Sequence, residues 1–444
     1  MNRPSKLFYQ TRLRRPVLER AEGVYMWDQA GKRYLDGSSG AMVSNIGHSN
    51  PNVLDAMRRQ MDQATFGYRL HFETEASEAL ADKLAQLSPP GLERCFFVSG
   101  GSEAVESTLK LARQYALAIG EGSRWKVISR QPSYHGCTLG ALAITGYTPL
   151  TAPFAPMMQA MPKVPAPRAY LDGLELDDPA TGRHYADMLD EKIRQEGPES
   201  VLAFIVEPVG GASTGALVPP AGYMARIREI CDRHGVLLIH DEVMSGGGRT
   251  GRFFASDHWD GPPDLVALSK GFGAGYVPLG AMVAHERIVE AVLDAGGFAH
   301  GYTYAGNPLA CAAGLAVIQE IEARGMMQNA ASIGALLKQR LEELAASHEM
   351  IGDVRGLGLL LAFELVDDRE SMRPLPAELG AFSRLVDIAY DNGLIIYSRR
   401  TRDGLEGDHF LVCPPMIAGT EHVDEIVDKL DRSLRLFAAE IGRA

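Results

Sequence analysis

The sequence lacks the signatures of three common protein classes. Its five cysteines are scattered without a CxxC pair, an odd set that is typical of buried thiols in a reducing compartment rather than of a disulfide framework. No run of 18 apolar residues is present, so no membrane-spanning helix is predicted. Basic residues number 44 against 56 acidic ones, and the net charge of −12 offers no basic surface for nucleic acid or an anionic membrane.

The N-terminal stretch MNRPSKLFYQTRLRRP is basic but lacks the apolar core of a signal peptide. The composition, 46% hydrophobic and 23% charged, is that of an ordinary globular protein. We therefore expect a cytoplasmic location.

The 444 residues are too many for one simple core, so two or more lobes are expected. Six short apolar runs predict strands: RCFFVSGG, WKVISRQ, SVLAFIVEPV, GVLLIHDEV, DLVALSKG and PLGAMVAH. Apolar spacing predicts helices over 103–119, 221–234, 287–295, 309–324 and 332–346, and a closing helix from Glu421. Alternation of helices with nearly continuous apolar strands favours an α/β fold whose mostly parallel sheet is covered by helices on both faces.

The pattern of predicted elements changes after Asn307-Pro308, where long helices precede the apolar runs GLGLLLAFELV, GLIIYS and DHFLVCPP. These runs indicate strands of a smaller α+β domain. We predict an N-terminal segment over 1–60 that packs with this small domain, a large domain over 61–308 and the small C-terminal domain over 309–444. Residues 29–32 have hairpin character, and 152–182, rich in proline and acidic residues, are predicted to form a long surface or lid-like loop.

Residues that carry chemistry follow the predicted strands at the edge where open parallel sheets bind ligands. These residues are Gly101-Ser102, Tyr134-His135, Glu207, Asp241-Glu242-Val243 and Lys270. Several have an ordinary structural explanation when taken alone: Ser102 as a helix N-cap, Tyr134 as a packed aromatic, and the carboxylates as solvated strand caps.

Lys270 stands between an apolar strand and a glycine-rich segment, where a charged ammonium is costly unless it is used. Such a position favours a nucleophilic amine with a lowered pKa. Together the set supplies an amine, a carboxylate, an aromatic ring and a helix N-terminus suited to phosphate. Those are the parts that hold pyridoxal phosphate (PLP).

Six motifs with this order and spacing resemble the class III aminotransferases, which have PLP fold type I. The resemblance covers residues 36–415, nearly the whole chain. The motifs are FFVSGGSEAVE, YHG, EPVGG, DEVMSGGGRTG, LSKGFGAGYVPLGA and HGYTYAGNP.

The resemblance implies a role for each matching residue. Lys270 forms the Schiff base and carries the proton, and Asp241 keeps the pyridine nitrogen of PLP protonated. Val243 and Tyr134 enclose the ring. The remaining implied cofactor residues are His135 and Glu207 as supports, Gly101 and Ser102 at the phosphate, and Thr303, which reaches the phosphate from the neighbouring subunit.

A shared phosphate site implies a homodimer, or a dimer of dimers, with active sites at the subunit interface. The implied reaction is a ping-pong transamination. An amine donor gives its amino group to the cofactor, and an oxo-acid acceptor, pyruvate or 2-oxoglutarate by analogy, then receives it.

Departures from the family pattern bear on the substrate. Met244 replaces a frequent glutamine after Asp-Glu-Val. Ala212 stands where ornithine- and acetylornithine-type members have a glutamate, which argues against those substrates. Met42 and Tyr397 occupy the places of a tryptophan and an arginine of amine:pyruvate members. Arginines at 399, 400 and 402 are the alternative candidates for a substrate carboxylate, or else form a solvated basic turn.

Other functions fit the sequence less well. GFGAG has GxGxG rather than GxGxxG spacing and lies late in the chain, which argues against a dinucleotide-dependent oxidoreductase. The histidines show no metal-ligand spacing such as HExxH. An aminomutase, racemase or decarboxylase of the same fold stays open because the cofactor residues are shared. A non-catalytic PLP-binding protein is disfavoured by the complete set around Lys270.

Overall fold

The computed structural model describes residues 5–443. Residues 1–4 of the predicted N-terminal segment and residue 444 of the predicted C-terminal domain lie outside this part of the chain. The strands are β1 (Leu18–Glu22), β2 (Tyr25–Asp28), β3 (Arg33–Asp36), β4 (Leu92–Val98), β5 (Lys126–Gln131), β6 (Lys163–Pro165), β7 (Val201–Val206), β8 (Leu237–Asp241), β9 (Leu265–Leu268), β10 (Gly280–His285), β11 (Ile351–Leu357), β12 (Leu360–Asp368), β13 (Arg373–Pro374), β14 (Leu394–Ile395), β15 (Tyr397–Arg402) and β16 (Glu406–Val412).

Helices separate most of these strands. They are α1 (Ser39–Met42), α2 (Pro51–Gln63), α3 (Glu75–Leu87), α4 (Gly101–Ala118), α5 (Leu139–Ala143), α6 (Thr148–Thr151), α7 (Ala169–Asp172), α8 (Pro179–Glu196), α9 (Tyr223–His234), α10 (Glu286–Asp294), α11 (Pro308–Ala323), α12 (Met326–Ser347), α13 (Ala381–Asp391) and α14 (Thr420–Glu440). Within residues 5–443, no helix has both the length and the apolar composition needed to cross a bilayer.

The largest sheet has seven strands in the order β4-β10-β9-β8-β7-β5-β6. Only β10 runs antiparallel to its neighbours, so the carboxyl ends of the other six strands meet at one edge. Strands β7, β8 and β9 are buried along their whole length. The predicted fold class, a mostly parallel sheet with helices, is confirmed.

Helices cover both faces of this sheet because its apolar strands bury alternate side chains on opposite sides. In β7, Ala203 and Ile205 join a core that includes α4. Phe204 and Val206, one residue along in each case, join a second core with α8 and α9. The continuous apolar run in the sequence thus reflects a strand with no solvent face.

Two smaller sheets lie outside the large one. One has the order β1-β2-β3-β14 and joins the N-terminal strands to a late one, and the other has the order β11-β12-β16-β15 with β13 beside β12. Leu35, Ile46 and Val53 belong to the same core as buried residues of α11 to α14. This shared core agrees with an N-terminal segment packed on a small domain, and the boundaries at 60 and 308 stay a prediction.

Two stretches differ from the prediction. Residues 152–182, predicted as a loop, contain the edge strand β6, whose Val164 is buried, and the start of α8. The prolines that suggested a loop are tolerated because β6 is at the sheet edge, where one side needs no hydrogen-bond donors. The run GLGLLLAFELV is two strands, since the chain turns at Gly358, whose φ is 58°.

All five cysteines are unpaired, and Cys231, Cys311 and Cys413 are buried, as expected. Cys95 is half-buried. Cys137 is exposed, so the prediction of buried thiols is wrong there. Cys137 follows the Tyr134-His135-Gly136 turn beyond the end of β5, where the chain no longer lies in the sheet.

Arg249 connects distant parts of the chain from a fully buried position. Its guanidinium donates to the Asn45 side chain at 2.6 and 3.1 Å and to Ser39 Oγ at 3.0 Å. It also donates to the carbonyls of Leu359, Cys413 and Pro414 at 2.9–3.1 Å.

An Arg249→Met substitution is expected to lower the free energy of unfolding by about 3 kcal/mol, because it leaves several buried acceptors without a donor. A urea titration followed by circular dichroism measures this. Arg435→Met, which removes only an exposed i,i+4 pair with Asp431, is the matched control and is expected to change it by less than about 0.5 kcal/mol. Equal effects of the two substitutions would contradict the role given to Arg249.

Candidate active site

Five strand ends converge on one cavity at the carboxyl edge of the large sheet. Eight of the nine residues predicted to bind the cofactor line this strand-end cavity, with Gly136, Val209, Ala212, Met244 and Ser269 as further lining residues. The eight are Gly101, Ser102, Tyr134, His135, Glu207, Asp241, Val243 and Lys270.

The carboxylate of Asp241, at the end of β8, is buried and held from two sides. Its Oδ2 accepts a hydrogen bond from His135 Nδ1 at 2.8 Å, and its Oδ1 accepts from the backbone N–H of Val243 at 3.0 Å. The backbone N–H of His135 donates to Thr145 Oγ1 at 3.0 Å. These contacts fix the carboxylate's orientation before any ligand arrives.

Two buried polar atoms next to this pair, His135 Nε2 and Glu207 Oε2, have no hydrogen-bond partner within residues 5–443. The Arg130 guanidinium lies 3.9 Å from Glu207 Oε2, at ion-pair distance. Glu207 follows β7, its Oε1 accepts from Gly211 N–H at 2.9 Å, and burial raises its pKa, with His135 and Arg130 acting in the opposite direction. Unpaired buried polar atoms are costly in a folded chain, so they indicate a site that is completed by another molecule.

Lys270 begins a short 3₁₀ turn directly after β9 and Ser269. Its φ is 47°, a left-handed conformation that is strained for a side chain larger than glycine. Burial lowers the pKa of its ammonium, while the carboxylates of Asp241 and Glu207 act in the opposite direction. A lowered pKa makes the free amine, the nucleophilic form, more available near neutral pH.

The first turn of α4 closes another side of the cavity. Gly101 is required there, since a Cβ would lie 2.8 Å from Val243 Cγ1. The helix begins at Gly101, after Gly100, and has 18 residues, so its first N–H groups and the positive end of its dipole face the cavity. Ser102 Oγ accepts from the Cys137 N–H at 3.0 Å. This arrangement suits an anionic group such as a phosphate.

An adjoining outer cavity opens from Lys270 toward the solvent. It contains three of the four residues predicted to contact substrate, Met42, Tyr397 and Arg399. Its other lining residues are Gln10, Ala41, Tyr134, Cys137, Leu142, Tyr147, Leu150, Phe154, Ala212, Ser213 and Lys270. The walls are therefore largely apolar and aromatic.

Residues 399–402 lie in strand β15 and not in the basic turn that was one prediction for them. Strand alternation decides which of their arginines reaches the outer cavity. Tyr397 and Arg399 are two residues apart in β15 and share a face, whereas Arg400 points to the other face. Arg400 forms an ion pair with Asp408 at 3.0 Å and stacks on Phe382. It does not line the outer cavity, so the structure does not bring Arg400 together with the other three substrate candidates. Arg402, on the same face as Arg400, donates to the Met372 carbonyl.

Arg399 is the guanidinium of the outer cavity, and it has no carboxylate partner in the described chain. Its guanidinium donates to the Ser398 carbonyl at 3.3 Å and lies 4.7 Å from the centre of the Tyr397 ring. The adjacent strand places the buried His409 beside it, not an acidic residue.

Thr303 is exposed and stands outside both cavities of its own chain. The sequence also gave no indication of Gln10, Tyr147, Leu150 and Phe154 in the outer cavity. These residues lie on irregular or short helical segments without a motif, so only the three-dimensional structure brings them to Lys270.

Comparisons with known proteins agree with this geometry. The family model for class-III aminotransferases matches residues 9–434. An uncharacterized aminotransferase, YodT, of Bacillus subtilis is 39% identical and the alignment covers 93% of each chain. An (S)-enantioselective omega-transaminase from Thermomicrobium roseum is 36% identical, with a TM-score of 0.91 over 98% of this chain and 96% of that one.

A PLP-bound amine transaminase from an uncultivated Pseudomonas species is also similar, at 34% identity and a TM-score of 0.92 over 98% of this chain and 100% of that chain. A lysine amine, a buried carboxylate and a helix N-terminus around one cavity define an enzyme of the PLP-dependent kind. The chain belongs to the class III aminotransferases. Its cofactor is PLP, as in the family, and its substrates are amines and oxo acids.

Proposed function

We propose that this enzyme transfers the amino group of an ω-amino acid or primary amine to an oxo acid, pyruvate or 2-oxoglutarate, by a ping-pong mechanism. The observation that supports this proposal most strongly is the position of Lys270. It lines the strand-end cavity together with the hydrogen-bonded Asp241–His135 pair, and it also lines the largely apolar outer cavity. Its amine would act as a general acid–base group between the cofactor and the substrate.

We assign the strand-end cavity to PLP, and its residues fit that group. The first turn of α4, with Gly101 and Ser102, would hold the phosphate. Asp241 would accept a hydrogen bond from the protonated ring nitrogen, and His135 and Glu207, each with a buried atom that lacks a hydrogen-bond partner, line the same cavity. Val243 and Tyr134 would enclose the ring. Bound PLP supplies an aldehyde that accepts the amino group and a ring that accepts electrons.

Lys270 would be the residue of this chain that transfers the proton. Its amine is the group of the cavity that can bind the aldehyde, leave it when a donor amine arrives, and then move a proton from the substrate carbon. The hydrogen bond from His135 holds the Asp241 carboxylate in a fixed orientation. The largely apolar and aromatic walls of the outer cavity would contact the rest of the substrate beside this amine.

We further propose a homodimer in the cytoplasm. Thr303, exposed in its own chain, would reach the phosphate of the partner's active site. This assignment follows from the family resemblance and from the absence of Thr303 from the two cavities described above.

An acceptor-dependence experiment tests the proposed reaction. Holoenzyme is mixed with a panel of ω-amino acids and primary amines without any oxo acid, and the carbonyl product is counted. We expect at most one product per active site, and continuous turnover once pyruvate or 2-oxoglutarate is added. Continuous conversion of the donor to another amino compound, without an oxo acid and without a carbonyl product, would instead indicate an aminomutase, racemase or decarboxylase.

We propose that Arg399 binds the carboxylate of substrates, since it is the unpaired guanidinium of the outer cavity. Arg399→Met is expected to raise KM for ω-amino acids and oxo acids about tenfold or more, because a charge-assisted hydrogen bond to a carboxylate is lost. Steady-state kinetics measure this, and KM for a primary amine without a carboxylate is expected to change less than about twofold.

Arg400→Met is the matched control. It removes a neighbouring guanidinium that is already paired with Asp408 on the other face of β15. If Arg399→Met raises KM equally for substrates with and without a carboxylate, Arg399 has only a structural role.

A further inference from the structure

A third cavity lies beside the outer cavity and serves none of the steps described above. We call it the side cavity. It is formed by α5, α6, the turn over 152–157 and the edge strand β6, and hydroxyl and amide side chains are frequent on its walls: Gln131, Thr145, Thr148, Thr151 and Gln159.

Lys163 is the single charged side chain among the residues that line the side cavity. Its Nζ donates to the Ala143 carbonyl at 3.0 Å. Burial lowers its pKa to about 8, and no neighbouring charge contributes to that shift. The amine is therefore partly desolvated without an acidic group to compensate it, which is unfavourable in a folded chain unless a ligand supplies the negative charge.

We propose that the side cavity binds a small oxyanion, a carboxylate or a phosphate, through the Lys163 ammonium and the side chains of Gln131, Thr148 and Gln159 on the same walls. The hydroxyls of Thr145 and Thr151 are not among these donors, because each donates to a backbone carbonyl. Oxyanions have several acceptor atoms, which suit a cation with neutral donors on the same walls. The walls contribute no carboxylate that would repel such a ligand.

The bound anion would contact the back of the wall that faces the substrate. Leu142 and Tyr147 line both the side cavity and the outer cavity. The Tyr147 hydroxyl accepts a hydrogen bond from the Arg400 N–H at 3.2 Å, and the Thr148 N–H donates to the Asp403 carbonyl at 3.2 Å. The site thus adjoins the turn that follows Arg399, yet it is separate from the proposed function and does not depend on it.

Protection of Lys163 from acetylation tests the proposal. Holoenzyme is treated with limiting N-acetoxysuccinimide at constant ionic strength in chloride, inorganic phosphate or propionate, and mass spectrometry gives the rate of acetylation of each lysine. The exposed Lys6 is the internal reference. At ten times the dissociation constant, the anion is expected to slow acetylation of Lys163 about tenfold, with saturation, and to leave Lys6 unchanged.

Saturable protection by phosphate alone identifies a phosphate site, and protection by propionate alone or by both anions identifies a carboxylate or a general oxyanion site. No protection relative to chloride, or equal slowing of Lys6, overturns the proposal. A Lys163 that is not acetylated even in chloride also overturns it, since the cavity would then be closed to small molecules. These readouts need no transamination, so they separate this inference from the proposed function.

Discussion

Replacing Lys270 with alanine is expected to lower kcat about 10⁴-fold, because the substitution removes the general acid–base amine of the strand-end cavity. Lys270→Arg is expected to lose as much. It keeps a cation in the same place but is not deprotonated near neutral pH, so the loss follows the reactive amine and not the charge. Single-turnover product formation with the best amine donor, and steady-state kcat, measure both variants.

Lys338→Ala is the control for the loss of a lysine from a helix far from the cavities, and its kcat is expected to stay within about twofold of the parent. Circular dichroism of each variant separates chemistry from folding. A Lys270→Arg enzyme that keeps more than about a tenth of the parent kcat would overturn the assignment, since a guanidinium cannot act as the amine does.

The second large effect is expected for Asp241→Asn, with a fall in kcat of about 10³-fold. Asparagine keeps the shape of the side chain and can still accept from His135 Nδ1, but it removes the negative charge that would keep the cofactor's ring nitrogen protonated. We expect the loss in kcat and little change in KM, because the charge acts on the reacting group.

Asp232→Asn is the matched control: it removes the charge of an exposed aspartate that pairs with Arg228 on α9, and kcat is expected to change less than about twofold. Asp241→Glu should recover part of the activity if charge is the requirement. Equal activity of the Asp241→Asn variant and the parent would show that the Asp241–His135 pair has only a packing role.

Much of the fold was predictable because its strands are buried on both faces. A run such as VLAFIV is typical of a central strand covered on both faces, and the structure confirms it as β7. The edge strand β6 was not predictable. It has three residues and ends in a proline, so its pairing with β5 depends on tertiary contacts rather than on pattern.

The strand-end cavity was predictable for the same reason as the central strands. Parallel strands bring residues such as Glu207, Asp241 and Lys270 to one edge, whatever the loops do. The residues of the outer cavity were harder to predict from the sequence, because its walls come from several unrelated segments. The choice between Arg399 and Arg400 required the register of β15, which an arginine-rich segment does not reveal.

The hydrogen bonds of the buried Arg249 also limit how the substrate preference of this enzyme can evolve. Ser39 and Asn45, which Arg249 holds, flank Met42 in the chain, and the outer cavity that contains Met42 borders the same N-terminal segment. Substitutions that reshape this wall would strain the anchors that keep the chain folded, so new specificity and robustness are in competition here. Arg399 and Tyr397 lie on β15, an edge strand that contains none of the residues hydrogen-bonded to Arg249, which makes β15 the more permissive place for adaptation.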